Sequence, residues 1–513
     1  MRAANGLVAT GHHLATAAGL AALRDGGTAA DAAIAAAAVC AVVLPQSTSI
    51  GGDMFALHYD ARTGEVTAYN GSGAAPAALP EFASFPDGGA ALTTVPGCVA
   101  AWGDLLDDHG RLGLDRALQS AIGYAEQGFP VSDGLSSAIA ESREKLDRDP
   151  ESARTFVPRG RTPVAGTMLQ QPDLAATLRE LASEGAEAFY RGALAERLAR
   201  GIEAAGGTLA PDDLASHRTE RRAPLEITYR GLRVLGQPPV SQGHILLEEL
   251  LMAEGYPLAD HAPGDPELIH LMVELKKLAF ADRDAHAGDP RSVDFDATRL
   301  FDPAFIEARR KHVGSRAAEH VEAGALAAPA HTTYLAVADR DGNAVSLIES
   351  VFSLFGSGAI APGTGVLLND RLSGFSLDPR SPNVLAPGKR PVHTLNAVMV
   401  LDGSQPRFVF GTPGRHAQVQ TNFQLAVSLI DHGLDVQEAI ELPRWFHEAD
   451  RTLRLESRYP ESTRRALQSK GHEIALLPDW AEVTGGAQAI AIDASGGFAG
   501  GADPRREGHA AGY

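Results

Sequence analysis

Two apolar runs joined by turn chemistry constrain this chain more than any other stretch. Residues 332–338 form a short run with β-branched and aromatic members. Asp339-Arg340-Asp341-Gly342-Asn343 supplies turn residues, and apolar residues resume at Ala344. The pattern predicts a β-hairpin. In front of it, residues 323–330 are small, include Pro329, and have little reason to form a rigid element, so they read as an exposed connector. A hydroxyl residue, Thr332, therefore opens a buried strand directly after a cleavable loop. A threonine hydroxyl is a weak nucleophile, and one remedy is to release its own backbone nitrogen as an amine that acts as the adjacent base. Such an amine titrates near neutrality, at about 7.7–8.0 in model peptides, whereas a peptide nitrogen cannot accept the proton. On the local residues alone, Thr332 and Thr333 read more simply as two β-formers in an ordinary strand.

The remaining sequence supplies the setting. With 513 residues and 44% hydrophobic content, the chain has apolar material for one large or two ordinary cores. A formal net charge of -19 argues against nucleic acid or an anionic membrane as partner. Cys40 and Cys98 are the two cysteines, which excludes a disulfide scaffold and any multi-cysteine metal site; both are expected as buried small hydrophobes. Residues 1–8 show neither a charged segment leading into a continuous apolar stretch nor a small-residue cleavage site, which predicts a cytoplasmic protein. The longest apolar run, 32–44, falls short of the roughly 20 residues a bilayer span needs and predicts a buried helix instead.

Helical patterns are expected over 15–25 and 29–43, separated by Gly26-Gly27, followed by a hairpin of 54–59 and 66–70. Further helices are expected at 100–109, 114–126, 171–181, 194–205, 244–254 and 267–285, with strands at 225–229 and 232–235. Strands prevail from Thr332 onward, including 397–401 and 408–410, before a helix at 418–432. Strands at both ends with helices between them predict an α+β layered sandwich, one structural domain whose sheets draw on distant segments.

Three polar sites flank the candidate nucleophile. Ser350 lies on the strand returning from the hairpin, where a hydroxyl can bond Thr332 and help move its proton. Gly411-Thr412-Pro413-Gly414-Arg415-His416 follows an apolar strand and precedes a helix, so its N–H groups form an anion site suited to an oxyanion. Lys389 to Asn396 places basic and polar side chains just before a strand. No dinucleotide-binding or Walker A pattern occurs, Asp282-Arg283-Asp284 lacks the later Gly and Glu of a calcium loop, and Gly71-Ser72-Gly73 lacks nucleophile-elbow spacing. The neighbours His12 and His13 are expected to point apart and make a poor metal pair.

Taken together, the motifs resemble those of the γ-glutamyltransferase family of N-terminal nucleophile hydrolases. They run in order along nearly the whole chain: Arg24-Asp25-Gly26-Gly27-Thr28-Ala29-Ala30-Asp31-Ala32-Ala33, Pro45-Gln46-Ser47 through Ile50-Gly51-Gly52, Gln237-Pro238-Pro239-Val240-Ser241-Gln242-Gly243, Ala281-Asp282-Arg283 with Gly288-Asp289-Pro290, Thr332-Thr333, Leu367-Leu368-Asn369-Asp370, Gly388-Lys389-Arg390-Pro391 and Gly411-Thr412-Pro413-Gly414. The resemblance implies a four-layer αββα sandwich made as a precursor and self-cleaved between His331 and Thr332. A large subunit, 1–331, and a small one, 332–513, would stay associated, leaving room for a homo-oligomer of heterodimers. It also implies that Thr332 is the nucleophile, Ser350 its hydroxyl partner, and the N–H groups of Gly414 and Arg415 the oxyanion hole.

The departures from the family pattern bear on substrate. Where family transferases grip a glutamyl α-carboxylate with an arginine and two serines, this chain has Ser72 and His393-Thr394. Where they hold the α-ammonium with Asn, Gln and Asp, it has Phe352, Arg371 and Gly374. An ammonium facing an arginine is poorly held. The basic set Arg371, Arg415, His393 and His416 suits instead a substrate bearing a carboxylate without an α-amino group. The expectation is an autoprocessed amidohydrolase that uses a small amide and water, with no cofactor, metal, nucleic acid or membrane. Two alternatives stay open: a γ-glutamyl hydrolase or transferase with an altered clamp, and an unprocessed homologue with a binding role.

Overall fold

The computed structural model describes residues 1–319, 330–448 and 450–513, and of Ala330 and His331 the backbone alone. Apart from the Ala330 backbone, the connector expected at 323–330 lies outside the described residues.

Two seven-stranded antiparallel sheets face each other. The first runs, edge to edge, through His509–Gly512, Gly6–Thr10, Ala330–Asp339, Ala344–Ser353, Asp53–Asp60, Glu65–Gly71 and Glu220–Arg222. The second runs through Arg2–Ala3, Phe498–Ala502, Gln488–Ile492, Gln405–Gly411, Val398–Asp402, Leu232–Gly236 and Leu225–Tyr229. Both therefore take strands from either side of Thr332.

Strand alternation assigns the layers. Tyr334, Ala336 and Ala338 point between the sheets, where they pack with Leu7, Phe55, Met399, Val409 and Ile490. Leu335 and Val337 point the other way, into a core shared with Val8, Ala56 and the helix Ala29–Val43. That helix is buried along its whole length. Its alanines let it lie close against the helix His13–Arg24, and the paired side chains of Thr28 and Asp31 cap its N-terminus. On the far side, Gly243–Ala253, Pro266–His286 and Ala417–Ile430 cover Ile227, Val234, Val398, Val400 and Phe410 of the second sheet. The result is the four-layer αββα sandwich that the resemblance implied.

The predicted helices and hairpins reappear with ends shifted by a few residues. The strands Gly6–Thr10, His509–Gly512, Gln488–Ile492 and Phe498–Ala502 were not expected; they are short and rich in alanine and glycine, so the few β-branched residues they hold, Val8, Thr10, Ile490 and Ile492, give only a weak signal. Cys40 and Cys98 are buried and free, as expected. Among the described residues no helix is long and apolar enough to cross a membrane.

One irregularity shapes the site. His331 pairs with Phe352 and Thr333 with Glu349, so the hairpin register slips and sets Ser350 and Val351 opposite Thr332. Bulges of this kind re-aim side chains next to active sites.

Candidate active site

Thr332 and Ser350 are buried side by side, 2% and 1% exposed. Thr332 Oγ1 donates to Ser350 Oγ at 3.3 Å, and the Phe352 N–H donates to the same oxygen at 2.8 Å. Phe352 holds φ +85°, a costly conformation for a residue with a side chain. Thr332 and Thr333 line a cavity of about 70 Å³ together with Gln46, Ser47, Pro413 and Gln488.

Pro413 brings the glycine-rich turn to the cavity that Thr332 lines. The turn joins the strand Gln405–Gly411 to the helix Ala417–Ile430, with Gly414 at φ +128° and Arg415 at φ +52°. Among the described residues neither the Gly414 nor the Arg415 N–H has a protein acceptor. Two unpaired amides at the start of a 14-residue helix are a site for negative charge. Thr412 Oγ1 steadies the turn by accepting the Gly486 N–H at 2.9 Å.

The motif glycines explain how the strand carrying Ser350 and the short strand at Leu367 are approached so closely. A Cβ on Gly52 would lie 2.4 Å from the Ser350 carbonyl oxygen, and one on Gly51 would lie 2.2 Å from that of Leu367. Glycine is thus dictated at both positions, and the next residue, Asp53, is delivered into the site.

A cleft of about 870 Å³ adjoins, lined by Phe352, Gly374, Thr394, His416, Gln242 and Arg283 among others. The Phe352 ring is sandwiched between the Arg371 and Arg415 guanidinium groups, each 4.6 Å from its centre. Arg371 is fully buried; its Nε donates to Asp53 Oδ2 at 2.9 Å, while Nη1 and Nη2 have no partner among the described residues. Burial pushes the Asp53 carboxyl up and the Arg371 guanidinium down from their ordinary values, and their mutual attraction opposes both shifts. Arg415 is lowered by burial to about 10 and remains a cation at neutral pH.

Two other expected binding residues are buried as deeply as Arg371. Ser72 is fully buried and donates to Asn70 Oδ1 at 2.6 Å. His393 is fully buried against the Phe55 ring at 5.0 Å. Burial, with Arg371 and Arg390 nearby, holds it well below the ordinary imidazole value, so it is neutral. Of His331 only the backbone is described.

Sequence reasoning missed Asp53 and Glu349. Glu349 sits beside Ser350 but faces the helical layer, accepting from Trp102 Nε1 at 2.5 Å, Cys98 Sγ at 3.3 Å and Thr48 Oγ1 at 3.4 Å. Burial pushes its carboxyl up to about 7. The available signal was a lone acidic residue inside an apolar strand.

Metal-like spacing occurs, among the described residues, at His270, Glu274 and His472. Lys277 Nζ already pairs with Glu274 at 2.8 Å, and His270 bonds His472 and the Gly314 carbonyl at 2.9 Å each, so these ligand atoms are already engaged, while His472 Nδ1 has no partner among the described residues. His12 and His13 do not point apart as expected: their rings stack 4.5 Å apart, because His12 is the extended N-cap and His13 the first helical residue.

The γ-glutamyltranspeptidase family model matches residues 15–513. The chain belongs to this family. Its relatives include a glutathione hydrolase-like proenzyme of Bacillus subtilis (strain 168), 38% identical over 99% of this chain and 98% of that protein. An oxamate amidohydrolase proenzyme of Klebsiella pneumoniae is also 38% identical, over 99% of this chain and 98% of that one. Among solved structures, a cephalosporin acylase from Bacillus halodurans superposes with a TM-score of 0.94 at 36% identity, covering 100% of this chain and 96% of that one. Family membership makes this protein an N-terminal nucleophile hydrolase, made as a proenzyme.

Proposed function

We propose that this γ-glutamyltranspeptidase family member is an autoprocessed amidohydrolase acting on a small amide that carries a carboxylate. The observation that carries this reading is the Thr332 hydroxyl bonded to Ser350, in a cavity shared with Pro413, the residue directly before two N–H groups that have no acceptor among the described residues. In processing, Thr332 Oγ attacks the His331 carbonyl carbon, the acyl group moves from nitrogen to oxygen, and water hydrolyses the ester. The products are a carboxylate at His331 and a free amine at Thr332. In turnover that amine accepts the hydroxyl proton as Oγ attacks the substrate amide. The Gly414 and Arg415 amides stabilise the oxyanion, the amine passes the proton to the leaving nitrogen, and water releases the acyl group.

The substrate class is supported by the two arginines on Phe352, since a guanidinium with free donors suits a carboxylate. The oxamate named for one relative is itself an amide next to a carboxylate. A second reading, γ-glutamyl hydrolysis, is favoured by the name of another relative and opposed by Arg371 where an ammonium would sit.

The test is a denaturing gel with N-terminal sequencing of the smaller band, beside a Thr332→Ala control. The 53.7 kDa chain should give fragments of roughly two thirds and one third of its length, the smaller beginning at Thr332. Dicarboxylate monoamides and γ-glutamyl-p-nitroanilide then separate the two substrate readings. A persistent single band would favour the binding-protein alternative.

A further inference from the structure

Arg283 and His416 meet at the cleft from two different helices. Arg283 lies in the last turn of Pro266–His286, and His416 caps Ala417–Ile430 directly after Arg415. Arg283 Nη1 approaches His416 Nδ1 to 2.9 Å. A guanidinium carries donors and no acceptor, so the imidazole nitrogen it faces must offer a lone pair and the ring proton must sit on Nε2. Arg283 is itself held: Nε donates to Asp284 at 2.8 Å, Nη2 pairs with the same carboxylate at 2.7 Å, and the guanidinium lies 4.3 Å from the Phe280 ring centre.

The charged groups that act on His416 are the basic Arg283, Arg415 and Lys276, while Asp284, which pairs with Arg283, lines the same cleft with Asp378 and Arg380. Lys276 lies 3.9 Å from the Phe280 ring centre, with His447 Nδ1 at 3.0 Å, and Glu249 acts on both Lys276 and Arg283. Burial and these neighbours hold His416 well below its ordinary value. His416 lines the cleft with Phe352 and Gln242, and its Nε2 has no protein partner among the described residues.

We propose that His416 is a specificity-determining residue: fixed by Arg283 in the Nε2–H form, it donates to a carbonyl or carboxylate oxygen of the bound amide and rejects an ammonium there. The proposal rests on the amidohydrolase reading above and makes Arg283 a positioning residue. Substrates are then amides whose cleft-facing part ends in oxygen acceptors, because a donor that cannot switch to acceptor leaves an ammonium unpaired.

The test reads the ring directly. In the wild-type protein, the ¹⁵N–¹H imidazole spectrum of His416, assigned by its loss in His416→Gln, should show the Nε2–H form without titration from about pH 5 to 9. In Arg283→Met the ring should titrate closer to the ordinary imidazole range. Succinate should shift the wild-type His416 signal. With a carboxylate monoamide, His416→Phe should raise KM about ten- to a hundredfold with little change in kcat, while His416→Gln, which keeps an N–H, should recover most of the loss. An uncharged analogue without the acceptor should show no such difference. Wild-type titration in this range, an unchanged Arg283→Met spectrum, no response to succinate, or equal losses on both substrates would each overturn the proposal. Absence of any amide turnover would instead count against the amidohydrolase reading, since the spectra do not depend on catalysis.

Discussion

Ser350 Oγ sits between two donors, the Thr332 hydroxyl at 3.3 Å and the Phe352 N–H at 2.8 Å. The backbone amide fixes the serine oxygen, and the serine oxygen in turn orients the Thr332 hydroxyl, the proposed nucleophile. Ser350→Ala should therefore slow both self-cleavage and amide hydrolysis by about ten- to a hundredfold, because orientation is lost while the attacking group remains. Thr332→Ala should abolish both, and Thr332→Ser should retain cleavage. A gel time course of freshly made protein checks all three.

Asp53 and Arg371 form an ion pair with both side chains at zero exposure. Arg371→Met strands a buried carboxylate and should cost about 3–5 kcal/mol of stability, whereas adding Asp53→Asn should restore most of it. Urea unfolding of the single and double variants measures the difference.

Glu349 predicts a pH effect. Its folded value of about 7 lies above the ordinary 4.5, so the folded protein holds this proton more tightly than the unfolded chain does. Its stability contribution is full below about pH 4.5 and is lost as pH rises to about 7, a loss of about 3 kcal/mol. Glu349→Gln should flatten that slope and stabilise the protein at pH 8, since the Thr48 hydroxyl can turn to accept from the new amide. Thermal unfolding across this range tests the sign.

Gly52→Ala should push the 344–353 strand away from its place, because the new methyl would meet the Ser350 carbonyl oxygen. A cost of about 1–3 kcal/mol and slower processing are expected, read by melting temperature and by the gel assay.

The hairpin, the buried alanine helix and the outer helices were legible because their periods are long or their chemistry local. Gly26-Gly27, for example, marks the break between the first two helices, which end at Arg24 and begin at Ala29. Strand Gly6–Thr10 was not legible: Gly-Leu-Val-Ala-Thr has no alternation, since the first sheet is covered on both faces. Within the site, Thr332 and the glycine turn were singled out by the family resemblance, since the local residues of Thr332 read as an ordinary strand. The Arg371–Asp53 pair joins residues 318 positions apart, and the Arg283–His416 contact joins two helices, so neither leaves a periodic trace. Burial depth was equally invisible: Ser72, Arg371 and His393, all expected at the substrate, are fully buried.

Strand Gly6–Thr10 lies between Ala330–Asp339 and His509–Gly512. The cut proposed before Thr332 would leave two polypeptides woven through each other, each supplying rungs to both sheets. The instructions for assembly would then belong to the joined chain, and a matured protein that unfolds would have to reassemble from two pieces, so that its lifetime would be set by how slowly it opens rather than by an equilibrium.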